Sequence, residues 1–182
     1  MSDEDDGVMI VAKLMAVSAR TAPKAKGSDV IAVRIASGED LKLLAESMIQ
    51  FGKENNLGFF LRDAGCIERC SCCVIIGAQG DGSLSLNCGG CGFSTCKDML
   101  SVQRKSVGRY PAFDGPNCIV RQADLGIAVG SAAKTASMHN IDNRIMFSAG
   151  VGALKLGWLE KCTVAYAIPL SASGKSIFFD RK

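Results

Sequence analysis

The residues best suited to chemistry lie in one stretch, Cys88-Gly89-Gly90-Cys91-Gly92-Phe93-Ser94-Thr95-Cys96, with Cys118 following beyond a basic connector. Thiolates are soft ligands for zinc and for iron–sulfur clusters, and four of them complete one site. The interspersed glycines permit left-handed turns, so sulfurs and amide N–H groups can be aimed at a common point. The expectation is a metal centre held by Cys88, Cys91, Cys96 and Cys118.

Spacing sorts the candidate metals. Structural zinc sites usually pair two CxxC knuckles, or one CxxC with spaced histidines. This chain has a single CxxC in the stretch, and its one histidine, His139, lies elsewhere. Three clustered cysteines with a remote fourth suit a [4Fe–4S] cubane. The alternative is a zinc-stabilised, non-redox interaction module. Packed or disulfide-bonded thiols are a poorer account, because a glycine-rich loop offers little apolar surface.

The elements that position this stretch can be read from composition and periodicity. Residues 7–20 read as a helix, with Asp3 to Asp6 at its positive end and Arg20 at its negative end. The segment 21–27 breaks it, and 29–36 has the composition of a strand. Ser37 is the expected cap of a second helix, in which Leu41, Leu44, Met48 and Phe51 face a core. Residues 59–69 are ambiguous and read as a short helix. Residues 73–78 lack polar alternation and read as a buried central strand.

Residues 80–83 form a turn, the cysteine loop runs into a helix over 94–104, and 105–117 is an irregular connector expected to wrap the metal. A long helix follows over 123–138, with Gly126, Gly130, Ala133 and Ser137 along one side. Such small residues let another helix or a cofactor approach closely, helix packing being the commoner cause. A helix over 144–156, a strand over 161–170 and a polar tail complete the chain. Helices alternating with strands predict α/β layering, a sheet covered by helices, in one domain over 1–182 with 83–120 as an inserted cluster-binding segment.

Other motifs have two readings each. Ser173-Gly174-Lys175-Ser176 is not a phosphate-cradling loop, because the glycine it requires five positions earlier is Pro169. Lys175 and Arg181 could contact an anion or belong to a charged tail. Cys66, Cys70, Cys72 and Cys73 could form a second metal site, but Cys72 and Cys73 are adjacent and on a strand face opposite ways, so they do not easily share an ion. Buried thiols there act as small hydrophobes. His139 reads as a helix-end cap. Asp142-Asn143-Arg144 reads as an interhelical turn, with a substrate or interface role for Arg144 as the sharper alternative. Lys97, Arg104, Lys105, Arg109 and Arg121 outnumber Asp98 and Asp114 around the loop, which would favour the reduced state of an anionic cluster or dock an acidic electron partner.

Composition limits the function classes. The chain is 48% hydrophobic and 21% charged, which argues for a packed core. Its net charge of +3 is too small to imply a nucleic-acid partner. No apolar run is long enough for a membrane span, and the acidic lead is unlike a signal peptide. Nine cysteines without an export signal suit reduced thiols. The expected setting is the cytoplasm.

Two family resemblances bear on these readings. CGxCGxxxC with a remote cysteine resembles the small [4Fe–4S] domain of electron-transport complexes and corrinoid iron–sulfur proteins. The run DLGIAVGSA…DNRIMFSAGVGALKLG…IPLSASGKSIFFDR, with LRDAG and CGGCGFSTC, resembles the ferredoxin domain-containing proteins of archaea and anaerobic bacteria. The ligands that family implies map onto Cys88, Cys91, Cys96 and Cys118.

Residues 16–48 and the order of elements over 123–170 are similar to the flavin nitroreductases, which are dimers binding FMN at the subunit interface. That resemblance implies a nitroreductase-like α+β body, a homodimer, and FMN as a candidate cofactor. The arginine-rich stretch that meets the flavin phosphate in that family has no counterpart in the acidic lead. Arg20, Lys24 and Lys26 are the alternative phosphate ligands, or else a solvated surface. A redox partner protein or small-molecule carrier would exchange electrons with the cluster.

Overall fold

The structure is a computed structural model that describes residues 2–109 and 111–179. Arg181, a candidate anion contact, lies outside the described residues. Four strands form an antiparallel sheet in the order β1-β2-β4-β3: β1 (Ile31–Ser37), β2 (Cys72–Gln79), β3 (Asp142–Asn143) and β4 (Cys162–Ser171). Helices α1 (Asp3–Thr21) and α5 (Ile119–Met138) cover one face. Helices α2 (Glu39–Glu54), α3 (Gly58–Ile67) and α6 (Phe147–Lys155) cover the other. The short α4 (Cys96–Arg104) follows the cysteine loop.

β2 is the centre of this arrangement. It pairs with β1 on one side and β4 on the other, and every residue from Cys72 to Ala78 is buried. Its side chains alternate between two cores. Cys72, Val74, Ile76 and Ala78 pack under α1 and α5, whereas Cys73 and Ile75 pack under α2, α3 and α6. A strand buried on both faces needs no polar alternation, which is why this run is apolar throughout. α6 presses onto β4 so closely that a Cβ at Gly150 would lie 2.0 Å from the Ala165 carbonyl oxygen.

α1 begins in a capping box: Ser2 Oγ accepts the Asp5 N–H, and the Asp5 carboxylate accepts the Ser2 N–H. These bonds satisfy donors that the first turn would otherwise leave free. The start of α2 departs from expectation. Ser37 pairs with Cys72 as the last residue of β1, and Gly38, at φ 57°, is the N-cap with no side-chain bond. The tail also differs from a simple polar extension. Phe178 is 3% exposed in the α2/α3/α6 core, and its carbonyl accepts from an Arg144 guanidinium nitrogen at 3.3 Å. Arg144 thus holds the tail, and Asp142 and Asn143 pair with β4 instead of forming a turn. His139 is the C-cap of α5, bonding through its backbone N–H.

The expectation that the small residues of α5 serve helix packing is overturned at two positions. Cβ atoms built at Gly126 and Gly130 would meet nothing within 4 Å. α5 instead packs through Leu125, Ala128, Ala132 and Ala136. Gly126 and Gly130 line a groove of about 320 Å³ with Gln122, Ile145 and Tyr166, where the side-chain amide nitrogen of Gln122 is buried without a partner.

Candidate metal centre

The cysteine loop is a sequence of tight turns. Gly89 and Gly92 take φ of 72° and 86°, a region that disfavours any residue with a Cβ, and the Gly92 N–H donates to the Gly89 carbonyl at 2.9 Å. Cys88 is exposed, and Cys91 and Cys96 are half-buried. Thr95 caps α4 by accepting the Asp98 N–H, so Cys96 is the first helical residue. The expected helix from Ser94 therefore starts two residues later.

Asn87 fixes Cys96 at both ends. The Cys96 N–H donates to Asn87 Oδ1 at 2.8 Å, and the Asn87 N–H donates to Cys96 Sγ at 3.4 Å. That N–H, with the Ser83 hydroxyl and the amides of Leu86 and Ser85, holds the Cys96 thiol below its ordinary pKa, because donors to sulfur favour the thiolate.

Cys118 is the buried N-cap of α5, 7% exposed. Its neighbour Ile119 meets the loop: a Cβ at Gly90 would lie 2.7 Å from Ile119 Cγ2. Only a glycine permits this approach, and it lays the CxxC turn against the first turn of α5. From the other side, Asn117 is tied to three elements. Its Oδ1 accepts from Thr163 Oγ1 at 2.6 Å and from Gln103 Nε2 at 3.1 Å, and its amide nitrogen donates to the Asp114 carbonyl at 2.6 Å. Gln103 is 4% exposed and also donates to the Pro116 carbonyl at 2.9 Å. The helix that begins at Cys96 is thereby bonded to the segment ending at Cys118. Sequence spacing carries no sign of these bonds.

Among the described residues, no three His, Cys, Asp or Glu side chains are gathered closely enough to hold a metal ion. Gly90 of the loop meets Ile119 beside Cys118, while the candidate thiols are not gathered into one group. The donor set itself fits an iron–sulfur group: three loop thiols, a fourth at a helix N-terminus, and N–H donation to a candidate ligand sulfur.

Cys66, Cys70, Cys72 and Cys73 are set apart from this region, in the two cores. Cys66, Cys70 and Cys73 lie in the α2/α3/α6 core and Cys72 in the α1/α5 core, the opposite facing expected of adjacent strand residues. Burial pushes the Cys70 and Cys72 thiols up to about 12 and the Cys73 thiol well above its ordinary range. Neutral, buried thiols are poor metal ligands.

The basic residues divide. Lys97, Arg104, Lys105 and Arg109 are exposed. Arg121, expected among them, is 6% exposed and bonded to Ser28 and Asp124. The candidate phosphate ligands have partners within the chain. Arg20 bonds Asp29 and the Ile31 carbonyl. Lys24 Nζ donates to the Ala19, Arg20 and Ala22 carbonyls at the end of α1, and Lys26 Nζ donates to the Leu84 carbonyl at 3.0 Å.

The layered sheet and its helices define a nitroreductase-like fold. The nitroreductase-like family protein of Bacillus cereus superposes with a TM-score of 0.56 at 10% identity, covering 95% of this chain and 79% of that one. A nitroreductase with bound FMN from Desulfitobacterium hafniense gives 0.56 at 14% identity, covering 96% and 92%. At these identities the likeness shows the fold alone.

In sequence, residues 114–181 match the family described as "uncharacterized protein containing a ferredoxin domain (DUF2148)". A protein of Archaeoglobus fulgidus is 42% identical over 178 residues, 98% of this chain and 94% of its own length. The chain belongs to this ferredoxin-domain family. The matched segment includes Cys118 and begins after the cysteine loop. No helix among the described residues is long and apolar enough to cross a membrane.

Proposed function

We propose that this chain is a cytosolic electron-transfer protein carrying one [4Fe–4S] cluster, held by Cys88, Cys91, Cys96 and Cys118. The approach of Gly90 to Ile119 carries the reading, because Gly90 lies between two of the loop cysteines and Ile119 directly follows the fourth candidate ligand in the chain. When bound, the group supplies one-electron transfer. The chain's residues set its conditions. The Asn87 N–H and the Ser83 hydroxyl stabilise charge on Cys96 sulfur, and the left-handed turns at Gly89 and Gly92 bend the loop without side-chain strain. The exposed Lys97, Arg104 and Lys105 favour an anionic reduced state and offer a docking surface for an acidic redox partner.

Reductive titration tests this directly. Protein purified without oxygen should take up one electron per chain with loss of visible absorbance and appearance of a paramagnetic signal. Colourless protein containing zinc would support the structural module instead.

A second reading, favoured by the open groove beside Gly126 and Gly130, adds a flavin or small substrate and makes the chain a redox enzyme. The groove starts one turn beyond Cys118 at Gln122, a lining residue whose side-chain amide nitrogen is buried without a partner. A flavin phosphate at the Arg20–Lys26 turn would compete with Asp29 for Arg20 and Lys24. A homodimer belongs to the same reading: Ile10, Leu14 and Val17, exposed along one side of α1, are the surface a second copy would cover. Flavin released on denaturation, measured by fluorescence, separates this reading from the cluster-only one.

A further inference from the structure

The turn over residues 25–28 sends bonds both to α5 and to the approach to the cysteine loop. Toward α5, the Ala25 N–H donates to Asp124 Oδ1 at 2.9 Å. The two terminal nitrogens of Arg121 donate to the Ser28 carbonyl at 2.8 Å and the Ser28 hydroxyl at 3.1 Å. Toward the loop, Lys26 Nζ donates to the carbonyl of Leu84, which is 5% exposed and lies four residues before Cys88. Arg121 lies three residues after Cys118, on the same buried side of α5.

We propose that this turn is a clamp, with Lys26 and Arg121 as positioning residues that set the gap between the loop cysteines and Cys118. The inference rests on the cluster reading and deepens it.

Three features support a fixed clamp over incidental contacts. Arg121 and Asp124 are 6% and 3% exposed, and their ion pair spans 3.4 Å. Buried charges are tolerated only when paired and hydrogen-bonded, so neither side chain can swing away freely. Lys26 sits at φ 55°, a backbone conformation that disfavours side chains, yet its ammonium reaches the carbonyl of the buried Leu84. The turn also joins two segments far apart in the chain, the approach to the loop and the first turns of α5.

The test uses the full chain with Lys26→Met, Arg121→Lys and, as a control on an exposed lysine of α2, Lys53→Met. Hydrogen exchange over residues 85–96 is measured on metal-free protein, and iron release to a chelator on anaerobically reconstituted protein. Thermal unfolding identifies any variant that fails to fold. Lys26→Met should fold and speed exchange in this segment roughly 10-fold, the equivalent of one charge-assisted hydrogen bond. It should release iron roughly 10- to 100-fold faster, as loss of outer-shell support does at metal sites. Arg121→Lys keeps the charge but loses the two-armed grip on Ser28, and should change both rates in the same direction. Lys53→Met should change neither.

Unchanged exchange in Lys26→Met overturns the clamp, whatever happens to iron. Faster exchange with wild-type iron release overturns its role in positioning ligands. A wild type that takes up no iron and sulfide, with faster exchange in Lys26→Met, removes the cluster reading and leaves the clamp as a loop anchor.

Discussion

Asn87 and Cys96 bond to each other twice, the Cys96 N–H to Asn87 Oδ1 at 2.8 Å and the Asn87 N–H to Cys96 Sγ at 3.4 Å. The second bond has a chemical consequence, because an N–H aimed at sulfur favours the thiolate. In metal-free protein the alkylation rate of Cys96 should therefore rise with a pH midpoint below the ordinary cysteine value of 9.0, and should return toward that value in urea. Peptide mapping after timed iodoacetamide labelling reads this. A native midpoint at or above 9.0 would contradict the bond.

Gly90 is the loop position with least room. Its missing Cβ would lie 2.7 Å from Ile119 Cγ2, so Gly90→Ala must push the loop from α5 or displace a branched side chain. Gly90→Ala should lower iron retained per chain, and Ile119→Ala in the same molecule should restore most of it. A double variant no better than Gly90→Ala would show that this contact does not seat the loop.

The core thiols impose an alkaline limit on stability. Burial raises Cys70 and Cys72 to about 12 from 9.0. Below pH 9 both folded and unfolded chains hold these thiols neutral, so the contribution is fully present. As pH rises from 9 toward 12 the unfolded chain ionises first, and folding loses up to about 1.4 kcal/mol per pH unit for each thiol. Urea midpoints from pH 8 to 11 should fall for wild type and fall less steeply for Cys72→Ala. Equal slopes would contradict the assignment.

The outer side of α1 tests the dimer. Ile10 and Val17 are 60% and 59% exposed, one helical face apart from the buried Val8, Met15 and Ala19. Ile10→Glu with Val17→Glu should convert a dimer to a monomer in sedimentation without lowering the unfolding temperature. A dimer that survives both changes uses another surface.

The fold was legible where burial imposes a pattern. Cys73–Ala78 has no polar residue because β2 is covered on both faces, and Leu41, Leu44 and Met48 recur at helical spacing because α2 has one buried side. Local rules failed where tertiary pairing decided. Ser37 has a cap's chemistry, yet its pairing with Cys72 keeps it in β1. Gly126 and Gly130 have the spacing of a packing stripe but face open space. Phe178 lies in a polar run and is drawn into the core.

The candidate ligands stood out because clustered cysteines and glycines are chemically distinctive. The side chains supporting them did not. Gln103, Asn117 and Thr163 are joined by hydrogen bonds between distant segments, which leave no periodic trace. Arg121 shows the same limit: its charge suggested a surface role, and its burial beside Asp124 makes it structural.

The most direct measurement is the iron, acid-labile sulfide and zinc content of protein purified without oxygen, for wild type, Cys91→Ser and Cys118→Ser. About four iron and four sulfide per chain in wild type, lost in both variants, is the expected result. One zinc without sulfide, or a full cluster retained in Cys118→Ser, would contradict the four-cysteine centre.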